Sequence, residues 1–487
     1  MKIPNFRWFI IALVFLAAVL NYIDRQALSL LAPDYIKKDL GLDDSGYASI
    51  VNIFLVAYTI SYLVSGRLID KLGTRLGMAV FVAFWSVSNM LTAAAHGFRS
   101  LGAYRFALGL GEAGVWPAAS KSVSEWFPAK ERALAIGVYT MGSTIGAIAT
   151  PFLVLPLAGF DFATHLPFVH NLLGAGAGWR MAFILTGGAG LLWVVPWLLL
   201  YRQPRQSPFA TEKDLKLLAD SEAAEAAAAN NNNNNAAPKA GQASCLSNAA
   251  PAPAATSPWS WKQIFSSRVV WLLLLGRLIT DPAWYFYQFW FPMFLRDSHG
   301  VSKSGLTMMW PVFAAAGLGS VIGGLLSGHL IKRGVAPAAS RLWTMLGCAL
   351  LMPVSLLVAG AGSPVAATWL AAASIVAALA WLINISSLVV DLVPKNSLGA
   401  VFGVVAAGST VGGIIMNTLI SSMLKPAGAI FDSAKAGFLD NAVNAIIGPL
   451  LRQVQGGGYA MWFTLMAFLH LAAWLMLYFG RIHKKAG

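Results

Sequence analysis

Residues 66–75 read GRLIDKLGTR. Apolar residues run up to this decapeptide and resume directly after it, so it has to join two hydrophobic segments by a short reversal. Gly73 supplies the backbone freedom a tight turn needs. Asp70 can reach helix ends and neighbouring basic groups, while Arg67, Lys71 and Arg75 place positive charge at one end of the flanking segments. A shorter version, GHLIKRG, stands at 328–334, with Lys332 where the first copy has Asp70. The recurrence of one connector so far along the chain suggests a duplicated architecture.

Outward from the decapeptide the hydrophobic segments continue in both directions. The chain has 487 residues, of which 57% are hydrophobic and only 11% charged, well short of the roughly 25% charge of a soluble domain. Runs long enough to cross a bilayer are expected near 8–31, 47–66, 77–96, 101–121, 133–157, 180–201, 268–295, 306–331, 342–360, 365–391, 398–423 and 459–480. That makes twelve spans in an all-α membrane protein. The first run lacks a small-x-small cleavage pattern and reads as a retained span. The net charge of +14 is distributed by topology rather than gathered on one face, which excludes a nucleic-acid surface. Lys2 and Arg7 precede span 1. Basic clusters then follow spans 2, 4, 6 and 8, Lys395 follows span 10, and Arg481, Lys484 and Lys485 close the chain. This asymmetry puts both termini on the cytoplasmic side. Cys245 and Cys348 stand far apart, and no metal-ligand spacing occurs.

Between spans 6 and 7 the chain turns polar, with EAAEAAAANNNNNNAAPKAGQASCLSNAAPAPAATSP at the centre. Such composition cannot bury enough apolar surface to offset ordering entropy. The expected organisation is therefore a bundle over 1–202, a cytoplasmic linker over 203–267 with a short surface helix near 212–226, and a second bundle over 268–487. PAKERALAIGVYTMGSTIGA (128–147) aligns without gaps on PKNSLGAVFGVVAAGSTVGG (394–413), taking Pro128 to Pro394, Gly137 to Gly403 and Gly142-Ser143-Thr144 to Gly408-Ser409-Thr410. Twelve spans in a six-plus-six repeat, with Gly66, Asp70, Lys71, Gly73 and Arg75 in the first connector, resemble the major facilitator superfamily. That resemblance implies two six-helix bundles with pseudo-two-fold symmetry, and it gives those five residues the role of a cytoplasmic latch.

Ionisable groups inside spans are costly, and so point to function. VLNYIDRQALSLLAP (19–33) sets Asp24 beside Arg25. YRFALGLGEAGVWPAAS (104–120) sets Arg105 and Glu112 seven residues apart, on one helix face, with Gly109 and Gly111 allowing close helix approach between them. Two arginines in a cavity suit a carboxylate, which a guanidinium grips with two parallel bonds. Two carboxyl groups beside them suit proton carriage, and mutual dependence of proton and anion binding is symport. Of the two, Glu112 is the stronger proton candidate, because Arg25 next in sequence should keep Asp24 charged. Tyr22, Tyr58, Tyr285, Gln288, Asn384 and Ser387 offer hydrogen bonds to sugar hydroxyls, and Trp284 offers a face for a pyranose ring. Arg277 and Asp281, four apart in span 7, can pair along the helix. That pair reads equally as a self-neutralising structural element or as a site.

A narrower resemblance rests on NYIDR, RFALGLGEAGVWP and EWFPAKERALAIGVYTMGSTIGA, which look like the anion:cation symporter family. RLITDPAW and WPVFAAAGLGSVIGG look like its hexuronate transporters. The resemblance implies proton-driven import of a glucuronate- or galacturonate-like acid across a bacterial cytoplasmic membrane. Galactonate, glucarate and dicarboxylates are the alternatives within the same family. It assigns substrate and proton handling to Asp24, Arg25, Arg105 and Glu112, and it implies a monomer needing no cofactor or metal. A membrane sensor on a transporter fold lacks a signalling domain in this sequence. An enzyme lacks a catalytic set, since the seven histidines are scattered. The stretch 424–458 is expected to be an extracytoplasmic loop with a short helix near 440–453.

Overall fold

The computed structural model describes residues 2–174, 177–220, 259–302, 304–393, 397–426 and 453–482. The Asn-rich centre of the linker and residues 440–452 of the helix expected near 440–453 lie outside those residues, while residues 212–220 are helical as expected. Among the described residues every regular element is helical.

Span 1 is Arg7–Leu31 and continues through a wide π-helical turn at Ala32–Ile36, where Pro33 lacks the amide a regular turn would use. Asp44–Thr92 runs on as spans 2 and 3, and its one non-helical residue is Gly73, at φ 75° and ψ 158°. No side-chain-bearing residue takes that conformation without strain, so the turn read from the decapeptide sits where the glycine allows it. Span 4 is Phe98–Glu112 followed by Val115–Trp126. Span 5 is Ala129–Gly159 and span 6 is Ala177–Leu200. Span 7 is broken by its prolines into Arg268–Thr280, Pro282–Phe289 and Phe291–His299. Span 8 is Trp310–Lys332 and span 9 begins at Pro337–Leu351. Spans 10, 11 and 12 are Pro364–Leu392, Leu398–Met423 and Gly458–Phe479. Among the described residues ten helices are long and apolar enough to cross a bilayer on length and composition alone. Spans 2 and 4 carry polar groups at depth: Asn52, Tyr58, Thr59 and Tyr62 in span 2, Arg105 and Glu112 in span 4.

The internal duplication is visible in the packing. Gly142 and Gly146 of span 5 lie against the carbonyls of Phe15 and Val19 in span 1, where an added Cβ would come within 2.5 and 2.4 Å. Gly408 and Gly412 of span 11 lie in the same way on Leu274 and Leu278 of span 7, at 2.6 and 2.2 Å. Small residues let these backbones touch in a setting where lipid offers no hydrophobic drive for helix association.

The halves meet at mid-depth and at the end away from the linker. Arg296 Nη2 donates to Asp34 Oδ1 at 2.7 Å, and Tyr47 OH donates to the Phe289 carbonyl at 2.7 Å. Asn417 Nδ2 donates to Asn52 Oδ1 at 2.9 Å while its own oxygen accepts from Trp290 Nε1 at 2.8 Å. Thr59 and Thr410 meet at mid-depth. Toward the linker end the surfaces part. Gly317 of span 8 still touches Thr144 of span 5, but Gly324 and Gly328 on the same face border open space, as do Gly66, Gly137 and Gly403. The cleft therefore opens at the linker end.

The decapeptide also braces its own half. Arg75 donates through Nε to the Leu198 carbonyl at 3.1 Å, capping the end of span 6, and Trp197 Nε1 returns a bond to the Arg75 carbonyl at 2.9 Å. Thr74 Oγ1 donates to Glu125 at 2.7 Å, which joins the connector to the end of span 4. Lys71 is exposed, and the side chain of Asp70 lies outside the described residues.

Candidate functional site

Span 4 is held between two neighbours by the glycines read from its sequence. An added Cβ at Gly109 would lie 2.5 Å from the Phe54 carbonyl of span 2, and one at Gly111 would lie 2.8 Å from the Trp85 amide of span 3. This fixes Glu112, which is fully buried, opposite span 1. Arg25 reaches it with two bonds to one oxygen, Nε–Oε2 at 2.9 Å and Nη2–Oε2 at 2.7 Å. Arg25 Nη2 also donates to Tyr58 OH at 2.9 Å and lies 3.4 Å from Asn21 Oδ1. The guanidinium is sandwiched by the rings of Tyr22 and Tyr58, with centroids at 4.9 and 4.8 Å, an arrangement that favours a cation. Trp116 Nε1 donates to Tyr58 OH at 2.8 Å and orients the phenol.

Asp24 does not pair with Arg25. It points away, toward spans 3 and 6, accepting from Asn89 Nδ2 at 2.7 Å and Trp85 Nε1 at 3.2 Å. Asn89 Nδ2 also lies 2.9 Å from Thr186 Oγ1. The expectation that Arg25 keeps Asp24 charged is thus corrected. Consecutive helical residues diverge by about 100°, so neighbours in sequence do not face one another. The partner of Arg25 is Glu112, and the donors that hold Asp24 carry no formal charge. The polar residues Asn89 and Thr186, standing inside apolar spans, are the sequence signal for this cradle besides Trp85.

Arg105 is 2% exposed, with its guanidinium carbon 5.0 Å from the centre of the Phe183 ring. Its Nε and Nη2 are buried without a hydrogen-bond partner. Two unpartnered donors on a buried cation are costly and leave a position for an anion. Arg105 and Arg25 line one narrow internal cavity, closed by Leu28, Val51, Phe54 and Phe289.

Of the remaining predicted residues, Tyr285 OH lies 3.4 Å from Ser409 Oγ of its own half, and its ring flanks Gly413 together with Leu55 of span 2; Gln288 bonds Gln26 of span 1 at 3.5 Å, so both stand at the junction of the halves. Trp284 packs at the edge of the core. Asn384 is fully buried: its Nδ2 donates to the Gly323 and Ala380 carbonyls at 3.0 and 2.8 Å, fastening span 10 to span 8, and its Oδ1 is buried without a hydrogen-bond partner. The Ser387 hydroxyl donates to the Ile383 carbonyl of its own helix at 2.8 Å. A polar residue within an apolar helix can serve packing as readily as a ligand, and periodicity alone does not separate the two. Among the described residues no group of His, Cys, Asp and Glu is placed to hold a metal ion.

The family model described as Major Facilitator Superfamily matches residues 14–417. A hexuronate transporter of Escherichia coli (strain K12) is 31% identical over 326 residues, covering 67% of this chain and 66% of that protein, just under two thirds of its length. A galacturonate transporter of Dickeya chrysanthemi is 32% identical over 327 residues, covering 67% of this chain and 82% of that protein. Among solved structures, a bacterial homolog of the human lysosomal transporter Spinster, inward-facing and unoccupied, superposes with a TM-score of 0.71 at 20% identity over 100% of this chain and 99% of that one. At that identity the likeness concerns the fold.

Proposed function

The chain belongs to the Major Facilitator Superfamily, and from that membership we propose that it is a proton-coupled symporter importing a hexuronate-like sugar acid. It is a multi-pass integral membrane protein. In this reading the bundles 1–202 and 268–487 rock about the central site, with both termini and the linker in the cytoplasm of a bacterial cell. The observation that carries it is Arg105: a buried guanidinium with two unpartnered donors, sharing a cavity with a second arginine. A sugar carboxylate satisfies those donors as a bidentate pair. The related proteins named for hexuronate and galacturonate support the substrate class.

Coupling follows from competition for Arg25. With Glu112 ionised, Arg25 is engaged by it through two short bonds. A proton on Glu112 removes that claim and frees Arg25 for the arriving carboxylate. Proton and substrate thereby favour each other's binding, and the favour is reciprocal. Asp24, held only by uncharged donors, is a second proton site on the same span. Uptake of labelled galacturonate and glucuronate into proteoliposomes under an imposed pH gradient tests the proposal. Folded protein that shows neither gradient-driven uptake nor exchange of either acid would end it.

A further inference from the structure

Span 7 carries Arg277, Asp281, Tyr285 and Gln288 at spacings of four, four and three, which puts all of them on one helix face. That face is turned to the other half: Gln288 bonds Gln26, and Tyr285 lies within electrostatic reach of Arg25 and Tyr62. Nearer the open end of the cleft, Arg277 Nε donates to Asp281 Oδ2 at 2.8 Å. Asp281 is 4% exposed, whereas the Arg277 side chain keeps 12%. The internal repeat points the same way. Leu278 corresponds to Val19 through the glycine contacts, so Asp281 falls where Tyr22 stands in span 1, and the ring of Tyr22 covers Arg25. The pair thus lies on the span 7 face that meets the N-terminal half at Gln288, about two to three turns nearer the linker than that contact.

We propose that Arg277–Asp281 reads the end of the sugar acid remote from its carboxylate, and so selects monoacids over sugar diacids. This rests on the sugar-acid reading above and adds the specificity. An acceptor carboxylate beside guanidinium donors matches the hydroxyls of a hemiacetal end, each of which both donates and accepts. A second carboxylate at that end finds the guanidinium already engaged and Asp281 carrying like charge. The N-terminal wall fixes the acid group, and the C-terminal wall decides what may stand at the other end.

Galacturonate and galactarate test this directly, because they share their central stereochemistry and differ at one terminus. Binding of each to the purified full chain in lipid nanodiscs is measured by calorimetry. The wild-type chain is expected to prefer galacturonate by about tenfold or more, the worth of a hydrogen bond to a charged group. Asp281→Asn should narrow that ratio by about tenfold, weakening galacturonate and relieving galactarate. The double variant Arg277→Gln/Asp281→Asn leaves no lone buried charge, so it provides the same test if the single variant folds poorly. It too should lose the discrimination. A pair that serves only helix stability would weaken both ligands alike, and a ratio unchanged in the folded variants overturns the inference. So does a wild-type preference for galactarate, which leaves the sugar-acid reading intact. A wild-type chain that binds neither acid defeats the sugar-acid reading itself, and the inference falls with it.

Discussion

Replacing Glu112 with Gln should cost this protein more stability than almost any other single polar substitution in the N-terminal half. Two charge-assisted bonds from Arg25 converge on one oxygen of Glu112, and the acceptor is fully buried. Removing one partner of a buried pair costs about 3–5 kcal/mol, because the remaining charge stays desolvated. Gln retains a carbonyl acceptor, and Arg25 retains Tyr58 and the flanking rings. The loss should therefore fall near the lower bound, about 3 kcal/mol. Arg25→Gln should cost a similar amount. The double variant buries no charge at this point, so it should recover about 2–3 kcal/mol of the summed losses. The control is the cycle between Asp24→Asn and Arg25→Gln. Asp24 is bonded to Asn89 and Trp85 and faces away from Arg25, so that coupling should be about 0.5 kcal/mol or less. Reversible unfolding in mixed micelles gives the four free energies of each cycle. Coupling of residues 24 and 25 that equals or exceeds that of residues 25 and 112 would refute the pairing on which the symport scheme is built.

The remaining expectations concern transport. Arg105→Lys keeps the charge but loses the planar fork, so substrate-dependent thermal stabilisation should fall sharply while the folded population persists; undiminished affinity in that variant would take Arg105 out of the site. Glu112→Gln and Asp24→Asn should each retain counterflow exchange and lose accumulation driven by a pH gradient, and whichever variant still concentrates substrate with wild-type proton dependence does not carry the coupling proton. Asp34→Asn removes the ionic link to Arg296 at the closed end, which is partly solvated on the arginine side. That should weaken closure by about 1 kcal/mol and shift the ratio of the two conformations roughly fivefold, visible as a longer distance between spin labels at Ser45 and Ser302. An unchanged distance distribution would mean the link does not hold the gate.

Much of this architecture is dictated locally. Twelve apolar runs, a charge alternation and a duplicated connector require no knowledge of packing, because a helix in lipid must satisfy its own backbone and a glycine turn between helices is a local event. The same holds for Gly109 and Gly111, whose role in close approach is a property of the residue, although only the structure shows that two different helices, spans 2 and 3, use them. The buried charges were also legible as a set: Asp24, Arg25, Arg105 and Glu112 stood out against hydrocarbon. Their pairing was not. Which carboxylate meets Arg25 depends on the rotation of span 1 against span 4, and that rotation is set by contacts between residues 87 positions apart in the chain. The bonds that Asn384 and Ser387 make to backbone carbonyls are illegible for the same reason, since a polar side chain carries no mark of whether the helix beside it or a cavity lies in its path. The sequence by itself settles what must be in the membrane, where the chain must turn and which charges need an explanation, because those follow from solvation of single segments. Only the tertiary structure decides which charges neutralise each other and which stay free for a ligand, because that is fixed by the relative placement of helices, to which the chemistry of any one segment is blind.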